Sequence, residues 1–274
     1  MKVLSEVLSS ASMEGHILLR NWVFIVVILL FIAILAWGLY ASYDMVMHAY
    51  EMGLTEGLQS LHYAAGLNNN LSLASVLSFL VAVIGASIVG SEFTLRTAKV
   101  RAANEGWMNV IMAKVLLILL ISGFMALIAS VFGIAGGRII WSMVIRAAEI
   151  GRTIAPPEIP VSYWQQLLLV IMGMFFYGLL GGFIALVTRS SLAGAVAGIG
   201  IPFAERMFLY WWWLPSQLYA ILIKNTFYFF EGGFVGPPPL VPPLEPGWLA
   251  WPALVGWTLL LGCSIWLLSR KQTT

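Results

Sequence analysis

Residues 22–41, WVFIVVILLFIAILAWGLYA, contain no charged side chain over twenty positions. At 1.5 Å per residue, such a helix spans about 30 Å, the thickness of a bilayer's hydrocarbon core. The rest of the chain agrees. Of its 274 residues, 61% are hydrophobic and only 9% charged, where a soluble domain carries about 25% charged residues. The expected fold class is therefore an all-α integral membrane protein forming a single transmembrane domain over 1–274.

Upstream of that span, residues 1–20 read as an amphipathic helix lying on the membrane surface. Leu4, Val7, Leu8, Ala11, Gly15 and Leu18 recur at helical spacing, and Lys2, Glu6, Ser9, His16 and Arg20 take the other side. Glu6 and Glu14 spoil the basic start of a secretory signal peptide. Downstream, apolar runs predict five further spans at 71–89, 110–132, 164–187, 192–208 and 248–268. Residues 42–70 form a polar outer loop. A second loop, 136–162, carries a short helical segment from Ile139 to Ile150 and a Pro156-Pro157 break. Between spans two and three lies a charged segment, 91–109. Before the last span, residues 205–247 combine Trp211-Trp212-Trp213, a short apolar stretch interrupted by Lys224 and Asn225, and a proline tract. This predicts a re-entrant or interfacial helix with a stiff proline-rich cover.

Charge sets the orientation. With both termini in the cytoplasm, nine Lys and Arg face inward and five outward, while eight of the twelve acidic residues lie outside; this obeys the positive-inside rule. The chain is thus expected as a multi-pass protein of a bacterial or archaeal plasma membrane.

Most catalytic chemistry is missing. Gly85-Ala86-Ser87-Ile88 has the outline of an intramembrane serine protease motif, but its base would be a histidine on another span. None follows His62. No HExxH is present, and Cys263 is the single cysteine, so no CxxC pair exists. We therefore expect no catalytic residue, metal site or bound cofactor, and no basic cluster suits nucleic acid. In Gly85 to Glu92 a phosphate-loop outline fails because Ser91 and Glu92 stand where Lys and Ser/Thr belong, so energy must come from a partner or a gradient. Gradient-driven carriers place ionisable groups within their spans. Here only Lys114, near the start of the third, and the Glu205-Arg206 pair qualify. That pair falls roughly 21 Å along its helix, either as a local ion pair with Arg206 reaching outward or as the polar lining of an exit path.

The stretch from Gly90 to Leu116, GSEFTLRTAKVRAANEGWMNVIMAKVL, resembles the cytoplasmic loop of ABC-2-type transporter permeases. Glu92-Phe93, Thr97, Lys99 and Lys114 match that family's pattern, and Arg96 stands where its glycine usually sits. The turn Leu186 to Ala193, the amphipathic N-terminal helix and the six-span count are also similar. The resemblance implies a homodimeric permease subunit, hydrolysing no ATP itself, with two copies of a cytoplasmic ABC ATPase that holds ATP and Mg. It implies ATPase-coupling contacts at Glu92, Arg96, Thr97, Lys99, Arg101 and Glu105, with Glu14 of the N-terminal helix contributing. The cargo expected from an apolar, aromatic path is amphipathic or hydrophobic: a peptide, an antibiotic or a lipid-like molecule. The alternative is an ABC-like module passing mechanical work to an extracytoplasmic partner protein, as in metalloenzyme maturation. GxxxG spacings at Gly133/Gly137, Gly178/Gly182 and Gly194/Gly198 let helices approach closely, either within one chain or across a dimer.

Overall fold

A computed structural model describes residues 2–51, 70–71, 73–74, 77–94, 103, 106–148, 163–208 and 250–271. Its helices are α1 (Lys2–Leu19), α2 (Trp22–Glu51), α3 (Ser78–Thr94), α4 (Trp107–Ala148), α5 (Tyr163–Thr188), α6 (Ser191–Phe208) and α7 (Ala250–Lys271), with no strand among the described residues. Among the described residues, three stretches are long and apolar enough to cross a membrane: Trp22–Ala41, Met108–Ile140 and Tyr163–Thr188. The fold is that of a helical membrane protein. The six-span reading is not matched by these lengths, because the apolar helices Ser78–Ser91, Ser191–Ile201 and Leu254–Leu268 are shorter.

Two boundaries differ from the sequence expectation. The first loop begins later, since α2 runs on through Asp44 to Glu51. More consequentially, the third span does not end at Phe132: α4 continues unbroken for 42 residues, about 63 Å. The run Gly133-Ile134-Ala135-Gly136-Gly137 reads as a loop opening, yet glycine is tolerated in apolar helices where neighbours support the backbone. Gly136 faces the Leu39 side chain of α2 so closely that a Cβ would collide with it.

The closest packing joins α3, α5 and α6. Ser78 lies opposite Gly173, Val81 opposite Gly178 and Val89 opposite Gly182, so α3 and α5 run parallel. α6 returns antiparallel, with Gly198 at Ala82 and Ser191 at Gly90. Glycine is required here: a Cβ on Gly85 would run into the Gly178 carbonyl, and one on Gly181 into the Ala82 carbonyl. Gly178, Gly182, Gly194 and Gly198 all pack against helices of this same chain. Their small faces serve packing within the chain.

The turn from α5 to α6 is built by caps. Arg189 adopts φ 54°, the left-handed conformation that ends many helices. Ser190 then donates its N–H to the Ala185 carbonyl at 3.2 Å, the wider bond of a Schellman motif. The Ser190 hydroxyl accepts from the Ala193 N–H at 3.3 Å and so opens α6. Two residues, Arg189 and Ser190, suffice to reverse the chain.

Candidate functional site

The charged groups buried inside the described residues meet at one place. α1 lies across the start of α4, burying Val7, Ser10, Ala11, Glu14 and Leu18. These recur at three- and four-residue intervals and define one helical face. Its apolar contact with α4 is small: Val7 and Ala11 meet Ala113, with Leu116 beside them, apart from the main core. Glu14 sits within this face rather than on the polar one. Its carboxylate lies 3.0 Å from the Lys114 ammonium of α4, and both side chains are only 6% exposed.

Lys114 also donates to the backbone carbonyl of Ile88 in α3, at 2.6 Å. A carbonyl oxygen has two lone pairs, so it can accept this bond beside its helical one. One ammonium therefore joins three helices: its own α4, α1 through Glu14, and α3 through Ile88. The physical reason for the pairing is desolvation. Either charge alone in this setting would be strongly unfavourable, whereas the pair with an added hydrogen bond is tolerated.

Two further polar ties surround the junction. Asn109, one turn before Lys114, donates through its amide to the Glu6 carboxylate at 3.0 Å on the exposed side. Asn21 caps α2 by accepting from the Val23 N–H at 3.0 Å and donates to the Ser87 hydroxyl at 2.9 Å. An amide nitrogen that donates to Ser87 cannot take its proton, so this contact supplies no base for the serine motif. At the same end, the Trp266 indole of α7 donates to the Met108 sulfur at 3.1 Å. The ends of α1, α3, α4 and α7, and the start of α2, are thus tied together beside the charged segment 91–109.

Of the residues singled out from sequence, Glu14 is brought into this junction, with its carboxylate turned inward. Arg96, Thr97, Lys99, Arg101 and Glu105 lie outside the described residues, as does the proline-rich region from 209 to 247. Glu92 closes α3, and Glu205 and Arg206 lie in α6, but their side chains are likewise outside the description. Among the described residues no group of three or more His, Cys, Asp or Glu could hold a metal. The Glu14–Lys114 pair was legible in principle. A carboxylate at position 14, on the same face as Val7, Ala11 and Leu18, is out of place on an apolar stripe and asks for a buried cation. No protein-family model matches the chain, and no curated protein matches it.

Proposed function

We propose that this chain is the membrane-spanning permease subunit of an ATP-driven transporter of the ABC-2 type. In this reading it has six spans with α3, α6 and α7 as the shorter ones, works as a homodimer, and exports an amphipathic or hydrophobic cargo. Two cytoplasmic ATPase subunits supply ATP hydrolysis. The observation that carries the reading is the Lys114 junction. A membrane subunit driven from outside needs a handle fixed to the bundle without slack, and segment 91–109 is such a handle. It leaves α3 just after Ile88, which Lys114 holds, and enters α4 beside Asn109, which Glu6 holds. Displacement of the segment would reach α1, α3 and α4 together. The Gly90–Leu116 resemblance supplies the class of engine.

Reversing two charges of the segment tests this. Arg96→Glu with Lys99→Glu is expected to abolish co-purification of an ATPase while leaving the amount of membrane-inserted chain unchanged. An unchanged yield of complex overturns the reading. A second reading, in which the chain passes mechanical work to an extracytoplasmic partner, is favoured by the length of α4. At about 63 Å it exceeds the roughly 30 Å hydrocarbon core by a factor of two, and its excess would stand clear of the bilayer as a docking post. ATP hydrolysis stimulated by candidate cargoes supports export; stimulation only by an extracytoplasmic protein supports the second reading.

A further inference from the structure

We infer that α1 is held on the bundle by an electrostatic latch, Glu14 to Lys114, and that the same ammonium makes the seating of α1 depend on how closely α3 approaches α4. α1 has little apolar hold on its neighbour. Among the described side chains, Val7 and Ala11 are its buried aliphatic groups over the start of α4, and they cluster with Ala113, with Leu116 packed against them. Alanine offers one methyl group, so this seat removes little apolar surface from water. Leu18, at the far end of α1, joins the main core instead. Two polar ties to α4 are described as well. Glu6 to Asn109 is exposed and weak, as exposed pairs are. Glu14 to Lys114 is buried, where loss of one partner strands the other charge.

The latch differs from an ordinary surface ion pair because Lys114 is shared. Its bond to the Ile88 carbonyl draws the ammonium toward α3 while Glu14 draws it toward α1. If α3 moves away, the ammonium loses an acceptor and its position beside Glu14 is no longer fixed. Conversely, release of α1 leaves the Lys114 charge without its carboxylate and weakens the α3–α4 contact. Coupling of this kind is reciprocal by thermodynamic necessity. α1 is thus a detachable strap whose seating reports the α3–α4 spacing.

Cross-linking in native membranes tests it. In a Cys263→Ser background, Ala11→Cys and Ala113→Cys place two thiols in the same small cluster, and mild oxidation should join them in most of the protein. Glu14→Gln is expected to lower the joined fraction at least threefold, and Lys114→Met likewise. Val7→Ala, which trims the apolar seat but keeps the charges, should lower it by less than a third. Lys114→Arg, which keeps a cation able to serve both Glu14 and the Ile88 carbonyl, should retain at least half of the cross-linking, and equal amounts of membrane-inserted chain in every variant show that the single variants insert and fold. Two results overturn the inference: cross-linking unmoved by Glu14→Gln, or a larger loss with Val7→Ala than with Glu14→Gln. A loss with Lys114→Arg as large as with Lys114→Met overturns it as well. The latch stands on the ion pair alone, so these outcomes are independent of whether an ATPase binds segment 91–109.

Discussion

Substituting alanine for Gly85 puts the tightest helix contact among the described residues to the test. A Cβ on Gly85 would lie 2.8 Å from the Gly178 carbonyl carbon and 3.0 Å from its Cα, and nearer still to the oxygen. Carbon atoms in good contact stay about 3.5–4.0 Å apart. The obstacle is backbone, so no rotamer change can clear it, and α3 and α5 must separate by roughly 0.5–1 Å. A gap of that size forfeits about a quarter to a half of each dispersion contact along the seam. The seam includes Gly181 against Ala82 and Gly178 against Val81. Overpacking of this kind costs about 1–3 kcal/mol, and with backbone on both sides we expect the upper end, about 3 kcal/mol. At about 2–4 °C per kcal/mol for a chain of this size, Gly85→Ala should lower the unfolding midpoint by about 6–12 °C. Gly256→Ala in α7 is the control, because nothing lies within 4 Å of its added Cβ; it should hold or raise the midpoint, since alanine favours helix over glycine. Thermal unfolding of detergent-solubilised protein, followed by the loss of monodisperse material, reads both. If Gly85→Ala unfolds within 2 °C of Gly256→Ala, the close α3–α5 approach is wrong.

Other substitutions probe the remaining joints by the same thermal assay. Lys114→Met strands the Glu14 carboxylate and should cost about 3–5 kcal/mol, whereas Lys114→Met with Glu14→Leu removes both charges and should recover most of the loss; no recovery would deny that the two charges form a pair. Asn21→Ala removes the α2 cap and the bond to Ser87 and should cost about 1–2 kcal/mol, with Asn21→Asp keeping the cap and losing less. Arg189→Gly should be neutral or stabilising, because the left-handed backbone there is unfavourable for a side chain, while Arg189→Val should destabilise by about 1–2 kcal/mol. Equal midpoints for glycine and valine at 189 would contradict the turn geometry.

The sequence is most readable where one physical signal dominates. The charge-free run 22–41 marks its span without ambiguity, and the alternation of faces in 1–20 marks α1. The α5–α6 turn is visible as Thr188-Arg189-Ser190-Ser191, where serine has the cap chemistry that opens a helix. Boundaries set by context are harder. Gly133, Gly136 and Gly137 disfavour helix in water and so read as a loop opening; with Gly136 packed on Leu39 of α2, α4 continues through them. The contacts of Gly85 with Gly178 and of Gly181 with Ala82 depend on the register between two helices, which no spacing along one helix encodes. The Glu14–Lys114 pair lies between these cases. Each residue is anomalous on its own helix, one on an apolar face and the other inside an apolar run, but their meeting across a hundred positions is a property of the fold.

The central proposal is that this membrane chain has no engine of its own and is moved through segment 91–109. ATP hydrolysis by the chain purified from native membranes with its associated subunits, set beside the Arg96→Glu, Lys99→Glu variant, tests it most directly. The account predicts Mg-dependent hydrolysis in the native preparation and none in the variant, although the variant is inserted in equal amount. Hydrolysis that persists in the variant, or that remains with the chain after every other subunit is stripped away, would contradict it.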